Sequence, residues 1–64
     1  MSNKSKLILE MFSYQTKWSM KDILEVQVPS PPFPTRAELE TTVFRCVTDG
    51  QLYVDSEGFY SLLP

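Results

Sequence analysis

Four prolines fall within the seven residues Val28-Pro29-Ser30-Pro31-Pro32-Phe33-Pro34. Proline has no amide hydrogen and a fixed φ, so this segment enters neither a helix interior nor a central strand. It predicts a turn-rich or polyproline-like connection, with Phe33 as the apolar anchor that pins it to a core. A docking motif for a partner is the functional counter-reading, but short proline runs are more often rigid connectors. Regular structure must therefore form on either side of this segment and meet across it.

Downstream, Thr35 to Thr48 predicts an amphipathic helix around which the rest of the chain is arranged. Thr35 with Glu38 three residues later is a capping-box signature, and Pro34 forbids helix upstream. Leu39, Val43, Cys46 and Val47 recur at helical spacing as an apolar stripe. Arg36, Thr41 and Arg45 fall on or near the opposite side. Asp49-Gly50 ends the helix. Gln51–Val54 and Phe59–Leu63 are β-prone runs joined by the polar loop Asp55-Ser56-Glu57-Gly58, which predicts an antiparallel hairpin. Alternation puts Leu52 and Val54 on one face of the first strand, with Tyr60 and Leu62 inward on the second.

Upstream, Ser2 or Asn3 opens a first helix to about Gln15, with Leu7, Ile8, Met11 and Phe12 on one face, Tyr14 beside it and Leu9 off it. Thr16-Lys17-Trp18 is a candidate short strand, and Trp18, the single tryptophan, is expected in the core. Ser19 and Asp22 form a second helix start. Met20, Ile23, Leu24 and Gln27 share a face of a two-turn helix too short to stand alone. The expected core is Leu7, Ile8, Met11, Trp18, Ile23, Leu24, Leu39, Val43, Val47, Leu52, Tyr60 and Leu62.

At 64 residues the chain is one domain, 1–64, of marginal stability. With one cysteine and no histidine it has neither a disulfide nor a zinc site to staple it. Cys46, on the apolar stripe, reads as a small core residue. Lys4 and Lys6 are not followed by a long apolar run, so no signal peptide is expected. Nothing reaches the ~20 apolar residues of a membrane span. A soluble cytoplasmic protein without a membrane partner is the expectation. The net charge of −2 is uneven: +1 over residues 1–28, zero over 29–48 and −3 over 49–64.

Helix, short strand, helix, helix, hairpin is an α+β order, a three-helix core with a small antiparallel β-hairpin wing. It resembles the winged-helix (winged helix-turn-helix) family. Glu38 to Val54 is similar to that family's third helix and its exit into the wing. Gly58-Phe59-Tyr60-Ser61-Leu62 is similar to the returning strand, and Trp18 to Leu24 to the short strand and second helix. The resemblance implies a DNA-binding module whose third helix enters the major groove. It would place Arg36, Thr41 and Arg45 in the groove and bring Lys17 and Lys21 near phosphates. The wing, however, carries Asp55 and Glu57 and no cation.

Catalytic chemistry is not expected. Without histidine there is no Ser/His pair, and two glycines, Gly50 and Gly58, make no phosphate loop. Glu38 and Glu40 read as surface decoration. No enzyme activity, metal or cofactor is therefore anticipated. The leading expectation is a small DNA-binding, transcriptional-regulator-like protein. The alternative is a winged-helix module for protein contact or self-association through Tyr53 and Phe59, and a purely structural small protein is the third. A continuous basic patch joining Arg36, Thr41 and Arg45 to Lys17 and Lys21 favours DNA; a neutral apolar patch favours protein.

Overall fold

A computed structural model describes residues 3–63. The order is α1 (Asn3–Met11), β1 (Trp18–Ser19), α2 (Met20–Gln27), α3 (Arg36–Thr48), β2 (Leu52–Val54) and β3 (Phe59–Leu62). The chain is thus α+β, with three helices and a three-stranded antiparallel sheet in the order β1-β3-β2. Ile8, Met11, Phe12, Ile23, Phe33, Leu39, Val43, Cys46 and Leu52 form the buried core, drawn from every helix, the proline segment and the sheet.

Both predicted caps are present. The Ser19 side chain accepts from the Asp22 amide at 3.2 Å, and Thr35 Oγ1 accepts from the Glu38 amide at 3.3 Å. At the other end of α3 the Gln51 amide donates to the Cys46 carbonyl at 2.9 Å and the Gly50 amide to Val47 at 3.0 Å. This Schellman pattern needs a left-handed residue just past the cap, and Gly50 has φ +78°. Helix α3 therefore starts and stops where its sequence directs, and the sharp exit turns the chain straight into the hairpin.

The proline segment is an anchored connection. Phe33 is fully buried, and its amide donates to the Ser30 carbonyl at 2.6 Å while the Ser30 amide donates to Gln27 at 3.1 Å. Peptide bonds Val28–Pro29 and Pro31–Pro32 are cis.

Helix α1 differs from expectation in length and in rotation. It ends at Met11, and tight turns follow, with Ser13 bonded back to Glu10 and Tyr14 to Met11. The Trp18 indole N–H donates to the same Met11 carbonyl at 3.0 Å, tying the end of α1 to the start of β1. Trp18 itself is half-buried against the core. Ser5, Ile8 and Met11 face inward. Ser5 meets Cys46 of α3 through a side-chain hydrogen bond, so a small polar residue takes an inward position beside Ile8. Leu9 consequently packs against the core, whereas Leu7, expected inside, is 37% exposed.

The sheet also departs in detail. β1 covers Trp18–Ser19, starting two residues later and ending one later than the expected Thr16–Trp18, and pairs Trp18 with Tyr60 and Ser19 with Phe59. Ser19 is thus both a sheet residue and the α2 cap. In the hairpin Leu52 pairs with Leu62, Tyr53 with Ser61 and Val54 with Tyr60. Cross-strand partners share a face, so Leu52, Val54, Tyr60 and Leu62 do lie on one side. Only Leu52 is fully covered; Tyr60 is half-buried, and Leu62, expected in the core, is 49% exposed. The β1 pairing stops at Tyr60, so no strand flanks Leu62 on that side.

Candidate functional site

Helix α3 turns one side to the core and leaves the other uncovered. Leu39, Thr42, Val43 and Cys46 are buried. Thr42 is the polar member of this set, and its hydroxyl donates to the Glu38 carbonyl at 2.9 Å, so it enters without an open hydrogen bond. Desolvation pushes the Cys46 thiol pKa up, only partly offset by the Ser5 hydrogen bond. This cysteine is a packed core group, as its place on the stripe predicts.

The exposed side carries Ala37, Thr41, Phe44 and Thr48 along its centre. Their spacing of four, three and four residues keeps them on one face of a helix. Phe44 is 72% exposed there. It is not among the expected site residues, and its offset from the Leu39–Val43–Cys46 stripe is the sequence signal for its exposure. Thr41 and Thr48 donate their hydroxyls to the Ala37 and Phe44 carbonyls, at 2.8 and 3.0 Å, and so present methyl-bearing surface outward.

The two arginines do not converge on this face. Arg36 and Arg45 are nine residues apart, about 180° around a helix of 3.6 residues per turn. They flank the exposed stripe on opposite edges. Arg36 Nε lies 3.4 Å from Glu40 Oε2 in an i,i+4 pair. Among the described residues no carboxylate lies within 4.0 Å of Arg45. Arg45 does line a groove of about 320 Å³ between α1 and α3, together with Lys4, Ser5, Ala37, Thr41 and the Lys4-paired Glu38.

The remaining candidates are dispersed. Lys17 sits 4.0 Å from Asp55 Oδ2. Lys21 is exposed on α2. Three of the six cations, Lys4, Lys17 and Arg36, therefore pair with carboxylates of the same chain. Such surface pairs contribute little to stability, but they cancel the positive potential a phosphate backbone would meet.

Asp55 is held by its turn. Its Oδ1 accepts from the Glu57 amide at 2.8 Å and the Phe59 amide at 3.0 Å. Donation from the Phe59 amide is the main reason its pKa lies below the ordinary aspartate value. Gly58, at φ +88°, closes the loop. Of the two acids in the hairpin loop Asp55 builds the turn, and Glu57 projects as a plain surface charge.

Tyr53 and Phe59 do come together. The pairings Tyr53–Ser61 and Ser19–Phe59 place them on one outer face of the sheet with Ser19 and Ser61 between and beside them. Tyr53 is 52% exposed and Phe59 somewhat less. A second groove, of about 240 Å³, runs between α1 and α2 and is lined by Leu7, Met11, Tyr14, Trp18 and Val26 among others. No helix among the described residues is long and apolar enough to cross a membrane. Comparison with known protein families, with curated protein sequences and with solved structures gave no match.

Proposed function

We propose that the chain is a winged-helix-like, non-catalytic recognition module whose working surface is the exposed face of α3, and that this face contacts protein. The element order and the β1-β3-β2 sheet support the winged-helix likeness. The observation that carries the protein reading is the composition of the face: Ala37, Thr41, Phe44 and Thr48 at its centre, with the arginines displaced to opposite edges. An exposed aromatic on a neutral helical face suits a protein pocket, since aromatic anchors dominate binding energy at protein interfaces. Tyr53 and Phe59 form a second apolar area on the sheet that suits the same class of partner.

A photo-crosslinking residue, benzoylphenylalanine, in place of Phe44 tests this in the cells that make the protein. Adducts that proteases remove and nucleases leave intact are the expected result. Nuclease-sensitive adducts would overturn the protein reading.

A DNA-binding regulator is the second reading, and Arg45 is the observation in its favour. It is an exposed arginine without an ion-pair partner among the described residues, on the same helix as exposed Thr41 and within the groove that Lys4 also lines. Arginine is the usual bidentate partner of guanine. On this reading Arg36 and Lys21 contact the backbone, and binding is weak and steeply salt-dependent. Amide-resolved titration with a mixed-sequence duplex at low salt then shifts Thr41, Phe44 and Arg45, and Arg45→Ala removes the shifts.

A further inference from the structure

We infer that the occupant of the exposed α3 face is a second copy of this chain, packed antiparallel about a two-fold axis; this rests on the protein-contact reading above. A two-fold interface must be self-complementary, each residue meeting a partner that meets it in return. The α3 face meets that condition in both shape and charge.

Shape comes first. A knob on one helix enters a hole made by four residues of the other, at spacing i, i+3, i+4 and i+7. Ala37, Glu40, Thr41 and Phe44 are such a set, and three of the four are exposed while Glu40 is half-buried. With the two helices antiparallel and the axis crossing at the level of Thr42 along the helix, Phe44 of each copy enters the hole formed by the partner's Ala37, Glu40, Thr41 and Phe44. In the same register Thr48 lies over the partner's Ala37. Small side chains at both positions let the helices approach.

Charge agrees with that register. An antiparallel two-fold pair brings like edges of the two helices together. The Arg45 edge also carries Glu38, seven residues earlier and about 20° away around the helix. Arg45 is then placed opposite the partner's Glu38, and each edge repeats the contact. Arg45 is without an ion-pair partner in its own chain among the described residues, while Glu38 offers one oxygen to Lys4 at 3.6 Å. The opposite edge holds Arg36 already neutralised by Glu40, so it adds no repulsion. A parallel pair would instead set each arginine edge against the other edge and leave the Arg45–Glu38 match unused.

The contact is small. Thirteen helical residues span about 20 Å, and one face of that length covers well under the roughly 800 Å² per partner of a standard interface. Association is accordingly weak and concentration-dependent, with dimer expected to fill in over concentrations on the order of tens to hundreds of micromolar.

Sedimentation equilibrium of the full chain over that range provides the test. The wild type is expected to move from monomer to dimer mass. Phe44→Ser is expected to remain monomeric throughout with an unchanged melt, because the side chain is mostly exposed. Arg45→Glu and Glu38→Arg each set like charges against one another and should raise the dissociation constant about tenfold or more. The double variant Arg45→Glu/Glu38→Arg should recover wild-type association. A wild type that stays monomeric, a dimer indifferent to Phe44→Ser, or a double variant no better than the singles overturns the inference. A monomeric wild type that still yields heterologous protein adducts through position 44 leaves the protein-contact reading standing and removes only the second copy. Nucleic-acid adducts remove both.

Discussion

Replacing Phe33 by alanine tests whether the proline segment is an integral part of the core. Phe33 is fully buried although its neighbours Pro31 and Pro34 are exposed. Burying such a side chain contributes about 1.5–3 kcal/mol from transfer alone. Its removal also leaves a cavity that the core closes only partly, and Phe→Ala changes in cores cost about 3–5 kcal/mol. Collapse is restricted here because prolines on both sides hold the backbone. At roughly 0.05–0.15 kcal/mol per residue, a chain of this length has about 3–10 kcal/mol of total stability. The expected cost is therefore a large share of the whole, and Phe33→Ala should be partly or wholly unfolded at 25 °C. Urea unfolding followed by Trp18 fluorescence is the assay, since Trp18 packs against the same core and bonds to Met11. Val26→Ser, at an exposed position on α2, serves as the control and should stay within about 0.5 kcal/mol of wild type. A Phe33→Ala midpoint equal to that of the control would refute the reasoning and make the segment a loose strap.

Other substitutions probe the remaining links. Leu39→Ala, at a fully buried position of α3, should cost about 2–5 kcal/mol in a chemical melt. Gly50→Ala meets no neighbouring atom within 4 Å, so its expected loss of about 1–2 kcal/mol comes from the left-handed backbone alone; Gly50→Asn should lose less. Cys46 should react with a thiol reagent at the rate of unfolding, because burial both shields it and raises its pKa. Asp55 has a folded-state pKa below its ordinary 3.8, so its contribution is complete above that value and disappears as pH falls through the lower folded-state value. Asp55→Asn should accordingly flatten the acid limb of a stability-against-pH curve.

What was legible in the sequence was whatever local chemistry decides. Ser19 and Thr35 announced their caps through the residues three positions on, and Gly50 announced the end of α3, because each motif closes within a few residues. Phe33 was legible for a related reason: an aromatic among prolines has little to do except pack. Contacts across the chain were harder to read. The rotation of α1 brings Ser5 against Cys46, residues 41 apart in sequence, whereas a strict apolar count prefers Leu7 over Ser5. Leu62 alternates correctly but lies beyond the reach of β1, which pairs only with Phe59 and Tyr60, and alternation carries no information about how far a neighbouring strand extends. At the candidate site the apolar stripe hid its complement. Listing what faces inward left Phe44 unremarked, though the same periodicity placed it outside. The arginines were named by type, and their separation around the helix, which decides whether they act together, was already present in the count of nine.

The treatment of charge separates the readings more sharply than net charge does. An acidic total of −2 is compatible with a nucleic-acid surface if the cations are gathered on one side. Here Lys4, Lys17 and Arg36 are each turned toward a carboxylate of the same chain, and these contacts come from three different elements or connections. Lys17 is tied to the residue that also builds the hairpin turn, so freeing it for a phosphate means surrendering a contact to Asp55 as well as overcoming the charge of Glu57. Arg36 is tied within its own helix, one turn from Glu40. Arg45 alone on α3 stays without a carboxylate partner among the described residues, next to a face with an exposed aromatic at its centre. Such an arginine beside an apolar knob suits the proposed protein contact, with a single orienting charge. It supplies one positive contact where a duplex-binding surface distributes several, and it is why Phe44 and Arg45, taken together, carry the functional argument.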